Sequence, residues 1–317
     1  GVQTCALPIL TLTPGPDGAL AILDLRVRAS RGLDHLLGLP EGALVQQVLA
    51  DGRPLALSTV EGRLLLPVRP GAQELRIVWR QPGALGAHYV TPLPDPGLPG
   101  ANLRVDVQVP ADRWVLLTGG PRLGPAVLFW GVLAVLAAGA VALARLRFAP
   151  LGLIGWLLLA IGLAPLDPLL LLVPVGWFAL CTWRERHGAR LGPLAFNALQ
   201  LGLALATFAL LAVLVLAVQQ GLLGAPDLQI AGNGSSGHLL RWYQDRSPPD
   251  WQPGTFWSAP LWVYRLLMLG WALWLAWAVL GWLRWGWQCW GRDGHWRRRT
   301  AGRTAAATVW TDGNASE

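Results

Sequence analysis

Five apolar stretches lie between Pro125 and Leu283, and arginines gather at every second junction between them. About 20 apolar residues in a helix cross the ~30 Å hydrocarbon core of a bilayer. Basic clusters mark the cytoplasmic ends of such spans. The pattern therefore predicts an all-α polytopic transmembrane bundle with a fixed orientation, its spans at about 125–144, 149–164, 168–183, 194–218 and 260–283.

Charge decides how Leu151–Trp183 is read. Arg145 and Arg147 precede it, and Arg184, Arg186 and Arg190 follow. A single broken span would set these clusters on opposite sides. A hairpin of two short legs returns both to the cytoplasm, as the positive-inside rule prefers. The legs are short for a bilayer, so local thinning or tilt is expected, and a re-entrant pair is the alternative. The scheme places the first 120 or so residues outside, a second outside loop at 221–258, and the C-terminus inside.

Composition agrees. Charged residues make up 14% of the 317 and hydrophobic residues 53%, whereas a soluble domain carries about 25% charged residues. All 25 basic residues are Arg. Together with the Ala, Gly, Leu and Pro content, this points to a GC-rich bacterial genome. The front region is near neutral, so the basic balance is a topology signal. No basic stripe on a soluble domain is present to bind nucleic acid.

One back-translation of the segment Gly1–Ile9 (GVQTCALPI) resembles a widely used sequencing-adapter stretch, and the segment is expected to be translated adapter. It is set aside from the fold, and the front domain is expected to be N-terminally truncated. From about 10 to 120, short apolar runs alternate with turn signals. Gln73–Arg80 alternates Leu75, Ile77 and Trp79 against Glu74, Arg76, Val78 and Arg80, Leu103–Val109 alternates Leu103, Val105, Val107 and Val109, and Asp51-Gly52 marks a hairpin. A β-sandwich-like extracytoplasmic domain is expected, with a helical turn at Asp34–Leu37. The breaker-rich 119–124 segment links it closely to the membrane region, and 300–317 reads as a disordered cytoplasmic tail.

Functional candidates are sparse. Polar residues within spans are functional by default, but Asp167 sits in a Pro-bounded turn and Asn197 and Gln200 read as helix-to-helix glue. No span carries a relay of acids and bases. Cys5, Cys181 and Cys289 have no CxxC or His neighbourhood for a metal. No cofactor or metal is expected.

The most site-like segment is 233–246. Ser235 or Ser236 can cap a short helix, on which His238, Arg241 and Asp245 fall near one face. With Trp242, Tyr243 and Arg265 of the last span they form the candidate ligand or partner surface. No nucleophile elbow frames either serine, so an interfacial amphipathic helix is preferred to catalysis. Eleven of the 19 tryptophans lie between Trp251 and Trp296. Some mark the two interfaces, while Trp271, Trp274, Trp282 and Trp285 share a helical face suited to packing or anchoring.

Four stretches carry a resemblance: Gly119–Gly131 (GGPRLGPAVLFWG), Gly232–Ser236 (GNGSS), Trp242–Arg246 (WYQDR) and Pro260–Trp277 (PLWVYRLLMLGWALWLAW). From about residue 40 onward the chain resembles an uncharacterised group of proteobacterial inner-membrane proteins. The resemblance implies a periplasmic β-rich region, a C-terminal helical bundle and no particular activity. The expected protein is a non-enzymatic envelope protein, its partners the lipid bilayer and another envelope protein. The alternative is a membrane enzyme or a lipid- or isoprenoid-handling protein that uses the 233–246 loop beside the Trp-rich last span.

Overall fold

The computed structural model describes residues 5–95, 101–224, 226, 228–246, 251–292 and 294–297, with only the backbone of residues 5–7, 101, 245 and 246. The strands before the helices are β1 (Cys5–Pro14), β2 (Gly18–Ala29), β3 (Leu33–Leu37), β4 (Leu44–Ala50), β5 (Arg53–Pro54), β6 (Thr59–Val60), β7 (Arg63–Val68), β8 (Gly71–Pro82), β9 (His88–Val90), β10 (Ala101–Gln108), β11 (Arg113–Gly119) and β12 (Ala126–Val127). After the fourth helix come β13 (Ile230–Ala231), β14 (Leu239–Arg246) and β15 (Thr255–Pro260).

Alternation builds the largest sheet. On β8, Leu75, Ile77 and Trp79 point inward and are at most 1% exposed, while Glu74, Arg76 and Arg80 face out. Its seven strands run in the order β14-β10-β1-β2-β8-β4-β5, with β1 and β10 parallel and every other neighbour antiparallel. Asp51-Gly52 and Glu61-Gly62 close the two tightest hairpins. All four residues have positive φ, the signature of the turn that matches strand twist.

Smaller sheets, β11-β15-β9 and β3-β7-β6, contribute side chains to the same core. Leu10, Leu23, Ile77 and Trp242 of the large sheet meet Leu37, Leu66 and Phe256 of the small ones there. Burying each such side chain contributes about 1.5–3 kcal/mol.

Three expectations are corrected. Asp34–Leu37 is not a helical turn: it lies in β3, paired with β7 from Leu33↔Val68 to Leu37↔Leu64. Pairing buries Leu37 completely, which a lone turn could not do. Second, 221–258 is not a free outside loop, because β13, β14 and β15 join three different sheets. Third, β1 begins at Cys5 and pairs with β2 from Cys5↔Arg28 onward, so part of the segment set aside is hydrogen-bonded into the sheet. Backbone pairing needs only an open edge and does not depend on a segment's origin.

Five α-helices occur among the described residues: α1 (Phe129–Leu146), α2 (Leu153–Leu163), α3 (Leu172–His187), α4 (Pro193–Leu223) and α5 (Leu261–Gly291). Three of them, α1, α4 and α5, are long and apolar enough to cross a membrane. The shorter α2 rises only about 16 Å. It runs antiparallel to α3, since Trp156 near its start packs on Phe178 at 5.6 Å. Thr182, late in α3, donates to the Phe148 carbonyl just before α2. In the turn between them, exposed Asp167 accepts the Leu169 N–H at 2.9 Å.

The ends of this layer differ. At one end, α1, α4 and α5 adjoin the β-strands: Phe129 N–H donates to the Leu228 carbonyl, and Leu261 N–H to that of Asp112. The Arg145/Arg147, Arg184/Arg186/Arg190 and Arg292/Arg297 clusters all lie at the other.

Candidate functional site

Residues 239–246 form a strand, not a helix, and that redistributes every candidate. On a strand, alternate side chains face opposite ways. Trp242 turns into the core at 1% exposure, and its Nε1 donates to the Gly119 carbonyl at 2.9 Å. Gly120, Gly124 and Gly254 line the indole so closely that a Cβ on any of them would come within 3.1 Å of it. Arg241 and Tyr243 turn outward. Periodicity misled here because residues 238, 241 and 245 fit a helical face, while the alternation of Leu240 and Trp242 with Arg241 and Tyr243 fits a strand equally well.

Ser235 and Arg241 are brought together. The Ser235 hydroxyl accepts the Arg241 N–H at 3.0 Å, which fastens the start of β14. Ser236 forms a bridge with Leu239 across a tight turn. His238 is exposed and borders a separate 190 Å³ cleft with Trp114, Pro226 and Leu261. Asp245 lies in β14, its side chain outside the described residues. Arg265 is exposed on the first turns of α5. The seven candidates with described side chains do not converge on one point, and neither serine among them meets a histidine. No group of three or more potential metal ligands occurs among the described residues.

The outward face of the large sheet is where charge collects. Asp106, on β10 beside Arg241, is 7% exposed. It receives Arg104 Nη2 at 2.5 Å and Arg241 Nε at 2.9 Å. A second Arg241 nitrogen donates to the Asn233 carbonyl at 3.2 Å. The Asp106 carboxylate raises the Arg104 guanidinium further above its ordinary value. Across β1, Asp24 pairs with Arg76 at 2.6 Å and Glu74 with Arg26 at 3.0 Å. Ile9, Leu49, Gly52 and these four charged residues border a 390 Å³ depression. Exposed pairs of this kind contribute about 0–1 kcal/mol each, so the lattice shapes a surface more than it stabilises the sheet. The Arg104-x-Asp106 spacing places both residues on one strand face, a signal readable in the sequence but not singled out there.

The helical layer holds a second polar group at its arginine end. Arg184 is fully buried. Its guanidinium donates to the carbonyls of Trp290, Arg292 and Gly294, at 3.2, 2.6 and 3.4 Å, in and just after the last turn of α5. Gln200 adds bonds to the Trp290 and His295 carbonyls. Asn197 exchanges two bonds with the Arg297 backbone. Phe196 lies between the Arg184 and Arg297 guanidinia, 4.5 and 4.2 Å from its centroid. A cation on the free carbonyls at a helix C-terminus is favourable, so this cluster fastens α5 to α3 and α4. The expected glue role of Asn197 and Gln200 matches these bonds. Arg184 had been read from sequence for topology alone.

No protein-family profile and no curated protein sequence matches the chain. Among solved structures, an M1 zinc metallopeptidase from Deinococcus radiodurans is 17% identical, with a TM-score of 0.30 over 39% of this chain and 35% of that one. Legionella pneumophila aminopeptidase A in complex with aspartic acid is 6% identical, again at 0.30, over 39% of this chain and 18% of that one. The chain thus spans about a third or less of the structures it matches, and likeness at that level carries no functional argument.

Proposed function

We propose that the chain is an inner-membrane envelope protein without catalytic activity. Its sandwich-like β-domain stands in the periplasm and binds a protein partner or ligand through the outward face of the large sheet. The helical layer anchors it. The observation that carries the reading is the opposition of the two ends of that layer, strands at one and arginine clusters at the other. The positive-inside rule assigns the arginine end to the cytoplasm.

Strand pairing supports an even number of crossings before α5. Because β10 pairs with β14 and β12 with β13, residues 127 and 230 lie on the same side of the bilayer. The segment between them crosses an even number of times. A single span over 151–183 gives an odd number and conflicts with that pairing. A crossing hairpin of α2 and α3 gives four crossings and five spans in all; a re-entrant pair gives two. A reporter fused after Gln220 is expected to read periplasmic, and a cytoplasmic signal rejects the scheme.

The partner surface is tested by photocrosslinking from position 243. Tyr243 faces outward beside Arg104 and Arg241. A photoreactive residue there is expected to yield a discrete envelope-protein adduct, weakened at least several-fold by Arg76→Glu. The absence of any adduct in intact cells counts against the reading.

A further inference from the structure

A cleft lies between α2 and α5, and its role follows from the membrane-embedded reading of the helical layer. The two helices run antiparallel and touch where Trp271 lies on Gly162, with the Trp271 Nε1 donating to the Leu158 carbonyl at 2.8 Å. Toward the start of α2 the contact opens into a cleft of about 530 Å³. Glycines form its floor: a Cβ at Gly152 or Gly281 would meet nothing within 4 Å. Trp274 and Trp277 form a wall, and Arg284 stands at the end.

Length and charge identify the occupant. From Trp274 to Arg284, α5 rises about 15 Å, half of a ~30 Å hydrocarbon core and hence the depth of one leaflet. The apolar part suits one acyl chain. Its mouth lies at the arginine end, where Arg145, Arg147 and Arg284 are all exposed. Asp167 and Glu185 are the only acids in the described helical layer. The first is in the turn at the far end, and the second is paired with Arg292 at 2.5 Å. Positive charge at the mouth is therefore unopposed among the described residues.

We propose that this cleft is a binding site for an anionic phospholipid of the arginine-side leaflet. One acyl chain lies between Gly155 and Trp277, and the headgroup phosphate is held by Arg284 with Arg145 and Arg147 close by. Each basic residue near a charged lipid surface is worth about a fivefold preference.

The test is native mass spectrometry of the detergent-purified full chain incubated with equimolar phosphatidylglycerol and phosphatidylcholine of the same acyl length. Wild type is expected to retain phosphatidylglycerol at least fivefold over phosphatidylcholine. Arg284→Gln, at an exposed position, is expected to cut that preference about fivefold. Gly281→Leu fills the cleft and is expected to lower retention of both lipids. Equal retention of the two lipids by wild type, or wild-type retention by both variants, overturns the site. Alkaline extraction of membranes separates the two levels of inference. Release of the chain into the soluble fraction rejects the membrane reading itself, whereas a chain that stays in the pellet but shows no lipid preference rejects the cleft alone.

Discussion

The indole of Trp271 lies directly against the backbone of Gly162, where any side chain would overlap the ring. This contact sets the approach of α5 to α2 and buries Trp271 to 7% exposure. Forcing a methyl group into such a site costs about 1–3 kcal/mol. Gly162→Ala is therefore expected to lower the unfolding midpoint in detergent by several degrees. Gly139→Ala on α1, where a Cβ meets nothing within 4 Å, is expected to be neutral or slightly stabilising. Equal effects of the two substitutions would contradict the packing described.

The β-domain is discontinuous in the chain, and its integrity depends on the return. Leu240, Trp242, Trp251 and Phe256 all lie after α4 and are each at most 8% exposed. At about 1.5–3 kcal/mol apiece, their loss is comparable with the whole stability of a small domain, about 5–15 kcal/mol. A chain ending at Gly120 is expected to lack cooperative unfolding. Because Phe129 N–H bonds the Leu228 carbonyl at 3.2 Å, an Asn-Gly turn can join 129 to 228 directly. Residues 5–129 joined in this way to 228–260 are expected to give a soluble, cooperatively unfolding protein with dispersed amide resonances.

Arg184 predicts a change in the C-terminal segment. Replacing it removes the Nη2 hydrogen bonding to the Trp290 carbonyl at the end of α5 and to the Arg292 and Gly294 carbonyls after it, and a hydrogen bond to a charged group contributes about 1.5–3 kcal/mol net. Arg184→Met is expected to expose Arg292 and Arg297 to trypsin at least tenfold faster than in wild type. Lys is expected to rescue poorly, because one ammonium cannot reproduce the planar guanidinium fork.

What the sequence reveals depends on whether a feature is periodic or long-range. The helices were legible because hydropathy over a span is a local sum, and the DG turn because its chemistry is local. The alternation at Gln73–Arg80 identified a strand outright. At 238–245 two periods competed, and only the pairing of β14 with β10 resolves them. That pairing joins Asp106 to Arg241 across 135 residues, a separation that carries no signature in either segment. The burial of Arg184 was hidden for the same reason, since its carbonyl acceptors lie more than 100 residues further on. Of the candidate surface, Arg241 and Tyr243 do share a face, while Trp242 proved to be core.

Tyr89 gives a pH signature. Its hydroxyl is buried without a hydrogen-bond partner among the described residues, and burial pushes its pKa up to about 12 from an ordinary value of 10.0. The folded state thus holds the proton between those values, while the unfolded state has released it. The stability that this provides is complete below pH 10 and declines as pH rises toward 12, by up to about 2–3 kcal/mol. Tyr89→Phe is expected to flatten that alkaline decline relative to wild type and to leave stability at pH 7 unchanged or slightly higher. Urea titrations at pH 7 and pH 11 measure both effects.

The split sheet also has a consequence in time. At ~5–20 residues per second, the 135 residues that separate Asp106 from Arg241 take roughly 7–27 s to synthesise. Throughout that interval β10 presents an unclaimed hydrogen-bonding edge, the kind that invites mispairing. Under the topology proposed above, β14 reaches that edge only if the intervening helices return it to the side of the bilayer on which β10 lies. A helix threaded the wrong way would then strand β14 and leave an unfinished sheet behind.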